Sequence, residues 1–153
     1  MIYVGLDIAE TMGVAIYYPD KSLAEVVEVK GLPYEQLEVL RKQYVPFHQT
    51  VVRFSIESLT HQRNAKTVRN LQQRIGYLKF SLIREGYKVN EVNINSVRHF
   101  LEAKNKKEVH ALLSTLSKDE LTDNHTDALA VALYQAKREG ADFAWQLKIG
   151  RVK

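Results

Sequence analysis

Apolar and polar positions follow two different periods along this chain, and the switches between them outline an α/β domain. Residues 2–6 are apolar almost throughout and stop at Asp7, the pattern of a strand buried on both faces. A short turn holding Gly13 leads to a second apolar run over 14–18, and Pro19-Asp20-Lys21 predicts a hairpin turn. Residues 24–29 alternate as a strand does, and Gly31-Leu32-Pro33 closes it. The chain is therefore expected to open with an antiparallel three-stranded meander. Leu37, Leu40 and Tyr44 then keep helical spacing, which Pro46 ends.

Residues 51–56 predict a fourth strand, with Val52, Phe54 and Ile56 on one face, ending at Glu57. The longest helix is expected over 64–85, where Val68, Leu71, Ile75, Leu78 and Leu82 form an apolar stripe. Tyr77, Phe80 and Ile83 lie off that stripe and need other cover. Gly86 stops the helix, 87–92 reads as a fifth strand, and shorter helices are expected over 96–101 and 106–116. A polar stretch over 117–124 precedes a last helix over 126–138. The tail 140–153, which carries Trp145, has no clear period. Three strands without intervening helices, then strands alternating with helices, predict a five-stranded mixed sheet: three antiparallel strands, then two parallel, with helices on both faces. No repeat or linker breaks the 153 residues, so one domain over 1–153 is expected.

Composition narrows the classes. Hydrophobic residues make up 45% and charged residues 26%, which argues against disorder. No apolar run reaches the roughly 20 residues that span a bilayer, and the opening segment lacks the regions of a signal peptide. Cysteine is absent, which excludes disulfides, thiolate metal sites and cysteine nucleophiles. A cytoplasmic setting is the expectation. The net charge of +4 is mildly basic and favours polyanionic partners only weakly. Its distribution says more, because lysines and arginines gather between Arg63 and Arg74 and at Lys104, Lys106 and Lys107.

Three acids stand at element boundaries. Asp7 and Glu57 each follow an apolar strand, and Asp127 opens an alanine-rich helix. Each has a plain structural use: a first loop residue for Asp7 or Glu57, and a complement to the helix dipole for Asp127. Asp123 or Asn124 would serve as that helix's N-cap. His61, Arg63, Lys66, Arg69, Gln73 and Arg74 occupy the non-apolar side of the long helix and its approach. They form either a solvated face or a surface that neutralises phosphates.

The order of these motifs resembles a known family. Residues 4–16, with Asp7-Ile8-Ala9 and Gly13, look like the first strand and turn of the RuvC-like Holliday-junction resolvases of the ribonuclease H-like superfamily. Phe54-Ser55-Ile56-Glu57 resembles the second acidic strand end, and residues 123–133 resemble the C-terminal acidic helix. The Asp-Ile-Ala-x-x-x-Gly turn is more similar to phage and prophage members than to the bacterial housekeeping enzyme. The resemblance implies a ribonuclease H-like nuclease domain resolving four-way or other branched DNA, in which Asp7, Glu57 and Asp127 are catalytic and hold two Mg2+ ions. Manganese substitutes in that reading. Hydrolysis of a phosphodiester at such a site needs an activated water and a stabilised leaving oxygen, which two ions clamped by carboxylates supply.

A fourth ligand is also implied. The family's Asp or His three residues before the helix aspartate is Asn124 here, and Asp123 lies one turn before Asp127. Asp123 is the expected catalytic and metal-ligating fourth member, with Asn124 second and His125 a weaker candidate. The resemblance further places the residues after Glu57 at the junction centre, matches Lys106 and Lys107 to a basic helix start, and implies a homodimer. Competing readings are another ribonuclease H-like nuclease cutting hybrids or flaps, and a junction-binding protein with weak or no catalysis. An ATP-binding fold of the actin and sugar-kinase type ranks last, since it needs phosphate-binding glycine turns after the first strand.

Overall fold

A strand with apolar side chains on both sides needs cover on both sides, and β1 (Ile2–Asp7) meets that condition. Tyr3 packs in one apolar cluster, while Val4 and Leu6 pack in another on the opposite face. The computed structural model that shows this describes residues 1–58, 65–141 and 147–153. Two strands follow antiparallel, β2 (Thr11–Tyr18) and β3 (Leu23–Lys30). Their connection is the expected turn at Pro19–Lys21, closed by Ser22 in the left-handed region at φ 47°.

Helix α1 (Pro33–Val39) starts on a proline, which suits the first turn, and continues as a wider turn over Leu40–Tyr44. Strand β4 (Val52–Glu57) then pairs parallel with β1. Helix α2 (Ala65–Arg84) returns the chain to β5 (Lys88–Val92), parallel to β4. Helices α3 (Ile94–Phe100), α4 (Lys106–Ser114) and α5 (Asp123–Arg138) complete the expected set. Among the described residues no helix is long and apolar enough to cross a membrane.

The sheet has six strands rather than five, in the order β5-β4-β1-β2-β3-β6. The extra one, β6 (Lys148–Val152), lies in the tail and pairs parallel with β3, with a register shift between Ala24 and Glu25. Its sequence carries two apolar side chains around a glycine, too few for a period of two to stand out. The open edge of β3 supplies its backbone partners, and Arg151 pairs with Glu25. Trp145 lies outside the described residues.

Helices α3, α4 and α5 cover one face of the sheet, and α1 and α2 cover the other. On α2, Leu78 and Leu82 are fully buried and Ile75 packs partly against the core, as the stripe predicts. Tyr77, Phe80 and Ile83 remain exposed, and the described tail residues lie at the far edge of the sheet. The tightest contact is on the other face. Ala128, Ala132 and Ala136 recur every four residues along α5 and are fully buried against the sheet. Below them a Cβ on Gly5 would fall 2.0 Å from the Ala128 carbonyl oxygen and 2.7 Å from the Ala132 nitrogen. A Cβ on Gly13 would fall 2.0 Å from the Asn124 carbonyl oxygen. Helix backbone thus rests directly on strand backbone.

This contact predicts opposite outcomes for two kinds of glycine. Gly5→Ala and Gly13→Ala force the helix off the sheet and are expected to lower unfolding free energy by about 1–3 kcal/mol or more. Gly76 sits inside α2 with open space where a Cβ would go, so Gly76→Ala is expected to add about 0.5–1 kcal/mol. Urea midpoints compare the three directly; a Gly5→Ala chain as stable as the wild type would refute the close packing.

Candidate active site

Strand parity decides which acids can meet. Val52, Phe54 and Ile56 face α1 and α2, so Glu57 points to the α5 side. Asp7 shares the parity of Tyr3 and Gly5 and points the same way. In the parallel register Leu6 is opposite Ile56, which sets the next residues, Asp7 and Glu57, side by side at the ends of β1 and β4. The carboxyl ends of parallel strands are where open α/β sheets form clefts. Asp127 comes down from the first turns of α5, the helix held against Gly5 and Gly13.

The three acids line one cavity of about 150 Å³, together with Ile94, Arg98, Lys106, Val109 and Ala130. Burial pushes the Asp7 carboxyl up to about 7, and the charge of Asp127 adds to it. Lys106 opposes that rise, while Glu57 and Asp123 contribute to it. Glu57 is also raised, first by burial and then by Asp127, against the cations Arg98 and Lys106. Carboxylates are crowded here beyond what the nearby cations offset. Lys106 Nζ bonds Asp127 Oδ2 at 2.9 Å, and this hydrogen bond raises the pKa of its ammonium.

The expected fourth ligand stands outside the cavity lining, though the charge of Asp123 reaches Asp7. Asp123 keeps 65% of its side chain exposed and meets His110 Nδ1 at 3.3 Å, and neither it nor Asn124 lines the cavity. Asn124 gives its backbone to the contact with Gly13. The N-cap of α5 is Thr122, rather than Asp123 or Asn124: its hydroxyl accepts from the His125 N–H at 3.2 Å, and His125 Nδ1 accepts from the Thr122 N–H at 3.1 Å. Burial lowers the pKa of the His125 ring, against the charge of Glu28 and a backbone hydrogen bond with Lys153, and His125 does not line the cavity.

The basic residues divide. Lys66 and Arg69 are exposed on the first turns of α2, Lys107 is exposed at the start of α4, and Lys106 lines the cavity. His61 and Arg63 lie outside the described residues. Arg74 is half-buried, and its NH1 donates to the Gly31 carbonyl and to Gln36 Oε1, each at 2.9 Å. Two further residues, Arg98 and His110, stand near the acids. Arg98 lines the cavity with a buried Nε that has no hydrogen-bond partner, and nothing in the spacing of a short helix signals it. His110 sits one helical turn beyond Lys106, a relation the sequence does contain.

Oxygen donors of this kind suit a hard dication such as Mg2+ and not a thiophilic metal. Among the described residues no three His, Asp or Glu side chains are gathered closely enough to hold a metal as they stand. The ammonium of Lys106 takes the place of a cation on Asp127. In donor type and in uncompensated charge, Asp7, Glu57 and Asp127 fit such an ion.

Fold and cavity together define the class: a mixed α/β sheet carrying an acidic cleft at the carboxyl ends of its parallel strands. Solved structures of this architecture match it. The chain is similar to T. thermophilus RuvC in complex with Holliday junction substrate, with a TM-score of 0.66 and 20% identity over 92% of this chain and 97% of that one. It is equally similar to a Thermus thermophilus RuvC structure, with a TM-score of 0.65 and 20% identity over 92% and 98% of the two chains. No protein-family model matches the chain, and no curated protein matches it in sequence. The likeness establishes a RuvC-like fold.

Asp7 carries a pH dependence. Its folded pKa of about 7 lies above the unfolded value near 3.8, so the folded state holds the proton more firmly between them. Its contribution is fully favourable below the lower value and is lost as pH rises through the upper one. Chelated protein is expected to lose up to about 1.4 kcal/mol per pH unit across that window. Asp7→Asn removes the Asp7 share of the slope and leaves that of Glu57, so the variant should exceed wild-type stability at pH 8 and equal it near pH 4. Parallel denaturation curves at both pH values check this, and a wild-type slope that persists in Asp7→Asn would contradict it.

Proposed function

We propose that this chain is a metal-dependent, structure-selective endodeoxyribonuclease that resolves Holliday junctions or other branched DNA. The observation that carries the reading is the convergence of Asp7, Glu57 and Asp127, far apart in sequence, on one cavity. The fold it shares with a RuvC solved with Holliday junction substrate supports it. In this reading Asp7, Glu57 and Asp127 hold Mg2+, with Mn2+ as a substitute, and Asp123 or Asn124 stands further out as a supplementary ligand. Bound there, the metal activates water and neutralises charge on the phosphate.

The chain's own groups do the remaining work. Burial keeps the Asp7 carboxyl partly protonated near neutral pH, so the acids are spared full repulsion until a cation arrives. Lys106 screens Asp127 in the meantime and presents positive charge at the cleft. Arg98 adds a second cation beside Glu57, where a phosphate would enter. Lys66, Arg69 and Lys107 supply sequence-independent contacts to the DNA backbone, joined in the proposal by His61 and Arg63.

A homodimer belongs to the same reading, because two symmetric nicks suit two sites. The exposed row Tyr77, Phe80 and Ile83 on α2 supports it. A cytoplasmic setting and a phage or prophage kind of member complete it, the latter resting on the turn after Asp7.

Cleavage of labelled four-way junction, flap, RNA–DNA hybrid and duplex substrates tests the function. Paired junction nicks with Mg2+ or Mn2+ and none with chelator are expected. Asp7→Asn, Glu57→Gln and Asp127→Asn are each expected to slow cleavage roughly 10²–10⁴-fold while junction binding in chelator survives. Binding without cleavage by the wild type in either metal would end the enzyme reading. For the dimer, Phe80→Glu is expected to give a monomer in sedimentation where the wild type gives a dimer, and a monomeric wild type would dismiss it.

A further inference from the structure

The turn that follows Asp7 is held by a buried polar network that reaches to α2. Residues Ile8, Ala9 and Glu10 join β1 to β2 directly after Asp7, which pairs with Gly13 at the end of the ladder. Gln36, on α1, is fully buried. Its Nε2 donates to the Ala9 carbonyl at 2.9 Å, the Glu10 carbonyl at 3.0 Å and the Val29 carbonyl at 2.9 Å. An amide nitrogen has two protons, so the three acceptors share them. The Gln36 Oε1 in turn accepts from Arg74 NH1, which also donates to the Gly31 carbonyl. Gly31 closes the loop by donating its N–H to the Glu10 carbonyl at 3.3 Å.

A buried, fully used amide is costly to place and strongly fixes its surroundings. A side chain that merely filled the core under α1 would be apolar, as Leu37 and Leu40 beside it are. Gln36 instead directs its donors to the Ala9 and Glu10 carbonyls of the turn after Asp7 and to the Val29 carbonyl of β3. Arg74 holds the amide in the orientation that presents Nε2 to the turn. It also ties the turn to α2, the helix whose first turns carry Lys66 and Arg69.

We infer that Gln36 and Arg74 are positioning residues for the Asp7 carboxylate, and that Arg74 acts inward through Gln36 and not outward on phosphate. The inference rests on the proposal that Asp7 holds a metal. Disturbing groups that orient a metal ligand typically costs 10–100-fold in affinity or activity. Arg74 transmits the placement of α2 to the ligand through one side chain.

The test uses the whole chain, with Mn2+ alone as the probe and free Mn2+ read by electron paramagnetic resonance. Wild type, Arg74→Met, Arg74→Lys and Gln36→Met are compared at a temperature where circular dichroism shows each folded. Junction affinity in chelator is measured alongside over a range of salt. Arg74→Met is expected to weaken Mn2+ binding roughly 10–100-fold and to leave junction affinity and its salt slope unchanged. Arg74→Lys, which keeps one donor, should recover part of the loss. Gln36→Met should behave as Arg74→Met or worse; if it fails to fold, the two Arg74 variants decide alone. Wild-type Mn2+ affinity in Arg74→Met overturns the inference, and a salt slope lowered by about one would assign Arg74 to a phosphate instead. If the wild type binds no Mn2+, the metal reading of Asp7 falls and takes this role with it. If the wild type binds and Arg74→Met binds equally, the role alone falls.

Discussion

Everything in this cleft depends on α5 lying with its backbone against the sheet. Gly5 and Gly13 leave no side chain between strand and helix, and the alanines at 128, 132 and 136 keep the helix side equally thin. A methyl group at either glycine would meet helix backbone at 2.0 Å. The usual spacing of a helix on a sheet would lift Asp127 away from Asp7. Here the first turns of α5 instead lower Asp127 to the level where β1 and β4 end. Gly13 is also the residue paired with Asp7 across β1 and β2, so one close approach fixes helix, turn and acid together.

The cost of this arrangement is electrostatic. Three carboxylates share a small cavity with two cations, and burial with mutual repulsion raises the pKa of Asp7 to about 7. A fold selected for stability alone would not gather them, because uncompensated charge in a partly buried site opposes folding. Such a cluster is the kind of perturbed group that marks functional sites. Lys106 on Asp127 reduces the repulsion without removing it. An exchangeable positive charge fits this balance better than a permanent ion pair.

Much of this was legible in the sequence, and the exceptions have physical reasons. Asp7 and Glu57 stood out because each ends a long apolar strand, and a period of two fixes the face a residue takes. The meander, the crossover through α2 and the alanine-rich α5 followed from the same periods. β6 did not, because an edge strand with two apolar side chains leaves no period, and its pairing comes from the open side of β3. Helix α5 begins three residues before the expected 126, since a Thr–His reciprocal cap lacks the acid or amide that usually signals a capping box.

Arg74 shows a different limit. It lies between Leu71 and Leu78 at spacings of three and four, so the wheel places it on the flank of the apolar stripe. Which partner waits there is a tertiary fact. Likewise, Arg98 enters the cleft only through the packing of α3 beside α5, which no local pattern records.

Anomalous diffraction from crystals soaked in manganese addresses the central claim most directly. The expected result is manganese density bounded by Asp7, Glu57 and Asp127, with Lys106 Nζ withdrawn from Asp127 Oδ2. Manganese bound away from these three carboxylates, or none bound while Lys106 stays on Asp127, would contradict it.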